Sequence, residues 1–525
     1  MKEKMFENRK EIIFSIIMSI VFVYGKHVVD NENRFFVLLI YGILSLIIYT
    51  LLSILFDSVT NSLCSINIDY LNKLIEKIDY KKLFFLIAII WLPHLIIKYP
   101  VGSCYDTLYQ LEQGLGLKEL TTHHPVFHTM LLTSFYKLGM LFGNANIGMF
   151  LYSIIQTVVM DLVFSFSIIT LRDIKANNNL IFLATMFFLL NPYVTGFIGV
   201  SVKDVYYSIF CVLLVTIFIR YIYYKKENFW NIKNIILLFV SSFFVFIFRK
   251  NGIFFLLSVL IPWAIKEKKK IIVFVACIII PFIFQKTLVN VYNAKEASIA
   301  EALSLPFQQT ARMSKYSDSI VTEDDKEVIN VILPYEELKN LYDERSSDPV
   351  KDKFKEDSNL GNLANYFVIW VKNFFKDPID YVEATARQNI YLVYNGYNNF
   401  KYYIDCNADL MSNQELGLLQ TPLSIKSKQG AYDSVMTKLH YIPVLQLLNN
   451  MSVYIVILFL IFIKCIKNND KCLLLLFLPL FISLLVTIAG PLTYRQPRYV
   501  LMIIWLFPIV STTVLSKMRS EKHIL

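Results

Sequence analysis

Stretches of about twenty residues with almost no charge recur along this chain, each long enough to cross the roughly 30 Å hydrocarbon layer of a bilayer as a helix. Such runs leave few folds open, because a backbone in lipid must satisfy its own hydrogen bonds, and only helices and closed barrels do so. They fall near residues 11–30, 35–56, 82–98, 147–171, 179–199, 205–224, 233–248, 252–265, 271–290, 447–465, 472–490 and 499–516. Of the 525 residues, 56% are hydrophobic and 15% aromatic, more apolar surface than a soluble domain can hide. The expected class is an all-α polytopic membrane protein of about twelve transmembrane helices. The first run follows the basic MKEKMFENRK, but no small-residue cleavage site comes after it, so it reads as a membrane helix rather than a signal peptide.

A thirteenth apolar stretch, 126–142, is settled by charge. Cytoplasmic loops carry the excess of Lys and Arg. If 126–142 crossed the bilayer, the later basic loops, among them Arg172 with Lys175 and the KEKKK of 266–270, would face outward while the basic N-terminus stayed inside. Laid along the outer surface instead, it puts all of them in the cytoplasm. The expectation is therefore a multi-pass protein of the cell membrane with both termini cytoplasmic. Residues 1–81 hold two helices and a cytoplasmic loop, and 82–290 a transmembrane module with its first outer loop at 99–146. An extracytoplasmic domain follows at 291–446, and the last helices occupy 447–525.

The 291–446 segment has mixed charge and length enough for one small domain. Its run NLANYFVIWVKNFFKDPIDYVEATARQNIYLVYNGY has helical amphipathic spacing, which predicts helices packed on the membrane face. The net charge of +10 sits mostly in the cytoplasmic loops, which favours orientation and contact with the lipid bilayer over nucleic acid. Seven cysteines show no CxxC or Cys/His spacing, so a structural zinc site is not expected, while a Cys104–Cys406 disulfide on the oxidising side stays open.

On this topology four outer turns carry ionisable groups: Asp106 in the first, Lys203 and Asp204 in the next, then Arg249 with Lys250, and Arg495 with Arg498 in the last. Any one cation there suits snorkelling or an ion pair. Two basic pairs placed against the positive-inside bias suggest a bound phosphate. At the outer edge of a bilayer that is the position of a lipid headgroup, and a polyprenyl-phosphate sugar would hold its anomeric carbon just above it. A carboxylate beside that carbon could take the proton of an attacking hydroxyl while the cations stabilise the departing phosphate.

The loop YDTLYQ, followed by HHPVFHTMLLTSFYKLGMLFGNANIG and a long helix, resembles the opening of GT-C membrane glycosyltransferases of the protein-mannosyltransferase and aminoarabinose-transferase kind. The chain is similar in particular to a group of uncharacterised bacterial membrane proteins with DTxxQ, HHP and a PxQQxAR-like motif, here SLPFQQTARM at 304–313. The resemblance covers most of 82–313 and the last turn. It implies a GT-C-like fold with a mostly helical extracytoplasmic domain, an outer-face active site, a polyprenyl-phosphate sugar donor and an extracytoplasmic acceptor (wall polymer, lipid or protein). Asp106 then matches the catalytic carboxylate and would be the general base. The residue two before it is Cys104 rather than an acid, which leaves a divalent metal, Mg or Mn, open.

Other readings stand beside these. Asp106 also suits the N-cap of the short helix DTLYQLEQ. His123 and His124 could hold a metal, bind the sugar or position the helix that Pro125 begins, and as neighbours only one of them should share a site with Asp106. Gln308, Gln309 and Arg312 could reach the acceptor or headgroup, or form a solvated helix face. A transporter or flippase of a lipid-linked substrate would place polar groups near the midplane on broken helices, where this sequence offers only Asp161 and His94. A lipid-linked polysaccharide polymerase or ligase would use the outer histidines and arginines.

Overall fold

Apolar runs bounded by charged loops become helices here, and few other elements form. The computed structural model describes residues 9–223, 229–396, 423–468 and 470–520, and among them the only β-structure is a set of isolated bridges. Among the described residues eight helical segments are long and apolar enough to cross a membrane: Arg9–Val28, Phe35–Ser65, Tyr80–Ile97, Ala145–Asp173, Lys203–Tyr223, Lys268–Val291, Lys471–Ile488 and Pro497–Arg519. Three shorter apolar helices, Asn178–Leu190, Ile232–Phe248 and Gly252–Lys266, and the 18-residue Met451–Asn468 occupy the remaining runs. The protein is an all-α polytopic membrane protein.

Burial ranks these helices. Lys203–Tyr223 is central, with 89% of its apolar window buried, packed between Ala145–Asp173, Ile232–Phe248 and Leu501–Ser520. Phe35–Ser65 is peripheral at 11%, touching mainly Arg9–Val28, and presents an almost continuous apolar surface. A helix apolar on all sides needs protein or lipid around it, and these two are the extremes.

Two expected spans are broken. The helix through 179–190 stops at Asn191, whose side chain accepts from Tyr193 N at 2.9 Å, and Pro192 opens a separate turn, Pro192–Thr195. Proline cannot donate the next helical bond and disfavours helix at the residue before it. Within 472–490 the chain forms Lys471–Leu474 and then Leu478–Ile488, with Pro479 in the first turn of the second piece. The ambiguous stretch is a 16-residue helix, Val126–Leu141, folded back on Ala145–Asp173. Glycines allow that hairpin: a Cβ on Gly148 would strike the carbonyl oxygen of Phe135, and it would lie 2.6 Å from Gly139 N.

The helical domain has its own core, built on Phe307, Ile332, Leu338, Val350 and Tyr366. After Asn389 the chain turns into the bundle, and Ile390, Tyr391, Leu392 and Tyr394 belong to the bundle core. The Tyr394 ring lies against Gly25, leaving no space for a Cβ there, and its hydroxyl donates to Asp30 at 2.7 Å. Asn395 reaches Tyr49 at 3.0 Å, accepts from Ser452 at 2.5 Å, and offers its carbonyl to Asn450 at 2.8 Å. Tyr49 stands fourteen residues into Phe35–Ser65, about 20 Å along the helix axis. Non-helical backbone survives at such depth only when enclosed by protein, and the IYLVY run supplies the apolar side chains that enclose it.

Candidate functional site

The first loop of the transmembrane module is held beside the turn after Asn191 by backbone pairing. Gly102 N donates to Gly199 O at 2.8 Å and Ser201 N to Gly102 O at 2.7 Å. Gly102 is required for this approach, since a Cβ would come within 2.8 Å of Val200 Cγ2. Lys98, buried, donates from Nζ to the carbonyls of Thr195, Gly196 and Ile198 at 2.7, 2.8 and 3.0 Å. These contacts set the start of helix Tyr105–Gly114 next to the start of Lys203–Tyr223.

The helix begins at Tyr105 with Cys104 as N-cap, so Asp106 lies in the first turn and is not the cap. Its Oδ2 accepts from Arg498 Nη1 at 2.7 Å and lies 4.0 Å from Lys203 Nζ. Lys203 Nζ in turn donates to His124 Nδ1 at 2.7 Å. Burial pushes the Asp106 carboxyl up, but Arg498 and Lys203 together outweigh it and hold the group below the usual carboxylate range. Burial and the Lys203 charge push His124 down to about 2, so its ring is neutral, accepting at Nδ1 and carrying its proton on Nε2.

Beside these four side chains lies a further pair. Arg249 Nη1 donates to Asp204 Oδ1 at 2.9 Å, and Asp204 is completely buried, with Oδ2 left without a hydrogen-bond partner. The Arg249 guanidinium sits 5.5 Å from the Tyr207 ring and 5.4 Å from the Tyr499 ring, and Arg498 lies 5.0 Å from the same Tyr499 ring. The Tyr499 ring is thus shared by two guanidinium groups, each paired with a carboxylate. A small cleft borders Arg249, lined by Phe255 and Met502 together with Asn251, Ser483 and Thr487.

Four of the expected turns thus contribute Asp106, His124, Lys203, Asp204, Arg249 and Arg498 to one cluster, while their sequence neighbours are placed elsewhere. Lys250 and Arg495 are exposed, and Arg495, with a left-handed φ of 54°, lies over Tyr494. His123 turns away to Glu301, 3.4 Å off. Gln308, Gln309 and Arg312 form neither a solvated face nor part of this cluster, because all three are buried in the helical domain. Gln308 bonds the Asp343 carbonyl, Gln309 the Thr385 hydroxyl, and Arg312 the carboxylates of Asp380 at 3.0 Å and Glu383 at 2.5 Å. The Cys104–Cys406 pairing falls outside the described residues, as Cys406 is not among them.

Sequence reasoning missed the frame behind the cluster. Gln110 Nε2 donates to the Asp106 carbonyl at 3.1 Å, His128 Nδ1 donates to Gln110 Oε1 at 2.7 Å, and the Tyr152 hydroxyl donates to His128 Nε2 at 3.0 Å. Gln156 closes the chain, donating to Val200 O at 2.9 Å. A single neutral tautomer of His128 satisfies both ring contacts, and burial with the Lys203 charge pushes it down to about 3. The spacing of Gln110 four residues after Asp106 on one helix was the available signal.

A metal does not fit here. The Lys203 ammonium lies between Asp106 and His124, and among the described residues no three His, Cys, Asp or Glu side chains gather in a ligating group. A divalent ion would have to displace the Lys203 ammonium from His124 Nδ1 and the Arg498 guanidinium from Asp106 Oδ2.

Fold and site together define a polytopic helical membrane protein with a buried charge cluster where loops meet one end of its bundle. The chain belongs to the family of unknown function DUF6020, whose model matches residues 117–524. The match includes every residue of the cluster except Asp106. No curated protein and no solved structure matches the chain.

Proposed function

We propose that this protein is a GT-C-like membrane glycosyltransferase that moves a sugar from a polyprenyl-phosphate donor to an acceptor on the outer face of the cell membrane. In this reading all twelve apolar helices cross the bilayer, Val126–Leu141 lies along its outer surface, both termini are cytoplasmic, and the helical domain is extracytoplasmic. The observation that carries the proposal is the gathering of Asp106, Lys203, Arg249 and Arg498 from four separate turns into one cluster.

The phosphate of the donor is held by Arg498, Lys203 and Arg249. It competes with Asp106 for the first two, and as they are drawn to the phosphate the Asp106 carboxylate recovers basicity. The acceptor oxygen then bonds to the anomeric carbon from the face opposite the phosphate. The carbon–oxygen bond to phosphate breaks with its electron pair, leaving polyprenyl phosphate stabilised by the cations, and the acceptor proton passes to Asp106. The product sugar is inverted at that carbon. His124 and Gln110 position Lys203 and the Asp106 helix. His124 is not the base, because its Nδ1 lone pair is taken by Lys203.

Native mass spectrometry with polyprenyl phosphate, followed by a transfer assay over candidate sugar donors, tests this. Asp106→Asn should bind the lipid phosphate and lose transfer, whereas full transfer by that variant removes the mechanism.

One observation favours a second reading, a transporter or flippase of a lipid-linked substrate. Asn191, at a helix break, bonds the Tyr454 hydroxyl at 2.6 Å, while Tyr193 bonds the Asn449 carbonyl at 2.8 Å, next to the polar group around Asn395. Broken helices with polar groups at depth are transporter features. Flux of a labelled lipid-linked sugar across proteoliposomes, without chemical transfer, would select this reading.

A further inference from the structure

The helix pair Leu360–Lys376 and Pro378–Asn389 buries one face and leaves another uncovered. Leu363, Tyr366 and Asn373 pack inward, with Tyr366 in the core of the helical domain. On the opposite side Leu360 is 81% exposed, Val368 65%, Phe375 77%, Ile379 73% and Val382 61%. Val371 completes the row. On the first helix these positions share one face about 100° wide, and the row continues onto the second helix at Ile379 and Val382. Contiguous apolar area of this kind, beyond a few hundred Å², is disfavoured in water and marks a contact surface.

What covers it follows from the level at which the pair sits. Glu383, next to Val382, meets the Tyr24 hydroxyl at 3.5 Å, and Tyr24 is four residues from the end of Arg9–Val28. Gln388 donates to Gly490 O at 2.7 Å and Asn389 to Ile488 O at 3.1 Å, at the end of the helix Lys471–Ile488. From Ile390 the chain enters the bundle core. Pro378–Asn389 therefore rests against the ends of two membrane-crossing helices, at the boundary between hydrocarbon and headgroups. Lys372 and Lys376, bound to Asp325 at 2.7 and 2.9 Å, lie beside the apolar row at the positions where an interfacial helix keeps its cations.

We infer that the face formed by Leu360, Val368, Val371, Phe375, Ile379 and Val382 is seated among the acyl chains of the leaflet on the domain side. The helix pair is then a monotopic anchor that fixes the height of the domain over the bilayer. This holds whatever reaction the charge cluster performs.

The test uses the wild-type chain in nanodiscs of phosphatidylcholine doped with a phospholipid carrying a diazirine near the headgroup end of one acyl chain. After irradiation and digestion, lipid adducts are mapped by mass spectrometry, with Phe35–Ser65 as the internal standard. Adducts are expected on Val368, Val371 and Phe375. Val368→Asp with Phe375→Asp should lower labelling of that peptide at least tenfold and leave the standard unchanged. Labelling confined to the bundle helices, with Phe375 oxidised by hydroxyl radicals from bulk water, overturns the inference. So do chain-to-chain cross-links at 368 and 375, which would make the face a contact between two copies.

Discussion

Arg498 Nη1 lies 2.7 Å from Asp106 Oδ2, closing a contact across 392 positions of sequence. The pair ties the first loop of the transmembrane module to the turn before the last helix. Each side chain is held on its far side as well, Arg498 over Tyr499 and Asp106 near Lys203. Breaking one partner leaves the other charge largely enclosed, while removing both does not.

Arg498→Met or Asp106→Asn alone is expected to cost about 3 kcal/mol, and the double variant Asp106→Asn with Arg498→Met less than the two singles summed. A double-mutant cycle on thermal unfolding in detergent measures the coupling, and simple additivity would show that the contact carries no energy.

Acid should loosen the loop before it unfolds the bundle. His124 is pushed to about 2 and His128 to about 3, both below the ordinary histidine value of about 6.5. Between those limits the unfolded loop binds more protons than the folded one, so stability rises with pH up to about 6.5 and falls as pH drops below it. The limiting slope is about 1.4 kcal/mol per pH unit for each histidine. Hydrogen exchange of 105–141 between pH 7 and 5 should report this, with a shallower slope in His128→Gln. A flat profile in the wild type would contradict the neutral, buried state of both rings.

Gly148→Ala should force apart the hairpin of Val126–Leu141 and Ala145–Asp173, because the new Cβ meets the Phe135 carbonyl. Overpacking of this kind costs about 1–3 kcal/mol. Gly430→Ala, in the helix Leu423–His440 with open space around it, serves as the control and should be neutral or slightly stabilising. Melting temperatures of the two variants decide the matter; equal values would mean the glycine contact is not tight.

Arg312→Met should unfold the helical domain by stranding Asp380 and Glu383, at a cost of about 3–5 kcal/mol, while leaving the proposed lipid-phosphate binding at the charge cluster intact. Limited proteolysis between residues 299 and 389, paired with native mass spectrometry, separates the two effects. Loss of phosphate binding without domain cleavage would return Arg312 to the candidate site.

The class of the protein was legible because lipid allows one local solution for a long apolar run, and periodicity needs no knowledge of partners. Asp106, Lys203, Arg249 and Arg498 were also legible as charges where charge is costly. Their sorting was not. Arg495 and Arg498 are equivalent in a string of letters, yet one residue in left-handed backbone points Arg495 outward while Arg498 turns in to Asp106. QQTAR reads as a polar helix face because the acids that bury Arg312 lie about seventy residues later. The descent at 390–396 was hidden for the opposite reason: IYLVY is too short to read as a span, and its depth depends on the gap left by Gly25.

That descent bears on how the domain can be handled. Its root threads between helices of the bundle and is gripped by Tyr49, Asn450 and Ser452. Cutting the chain beyond Tyr394 would empty a greasy socket in the bundle beside Gly25 and leave Ile390, Leu392 and Tyr394 dangling in water. The domain is thus more a stopper than a lid: it cannot be swung aside or traded for another domain without redesigning the socket.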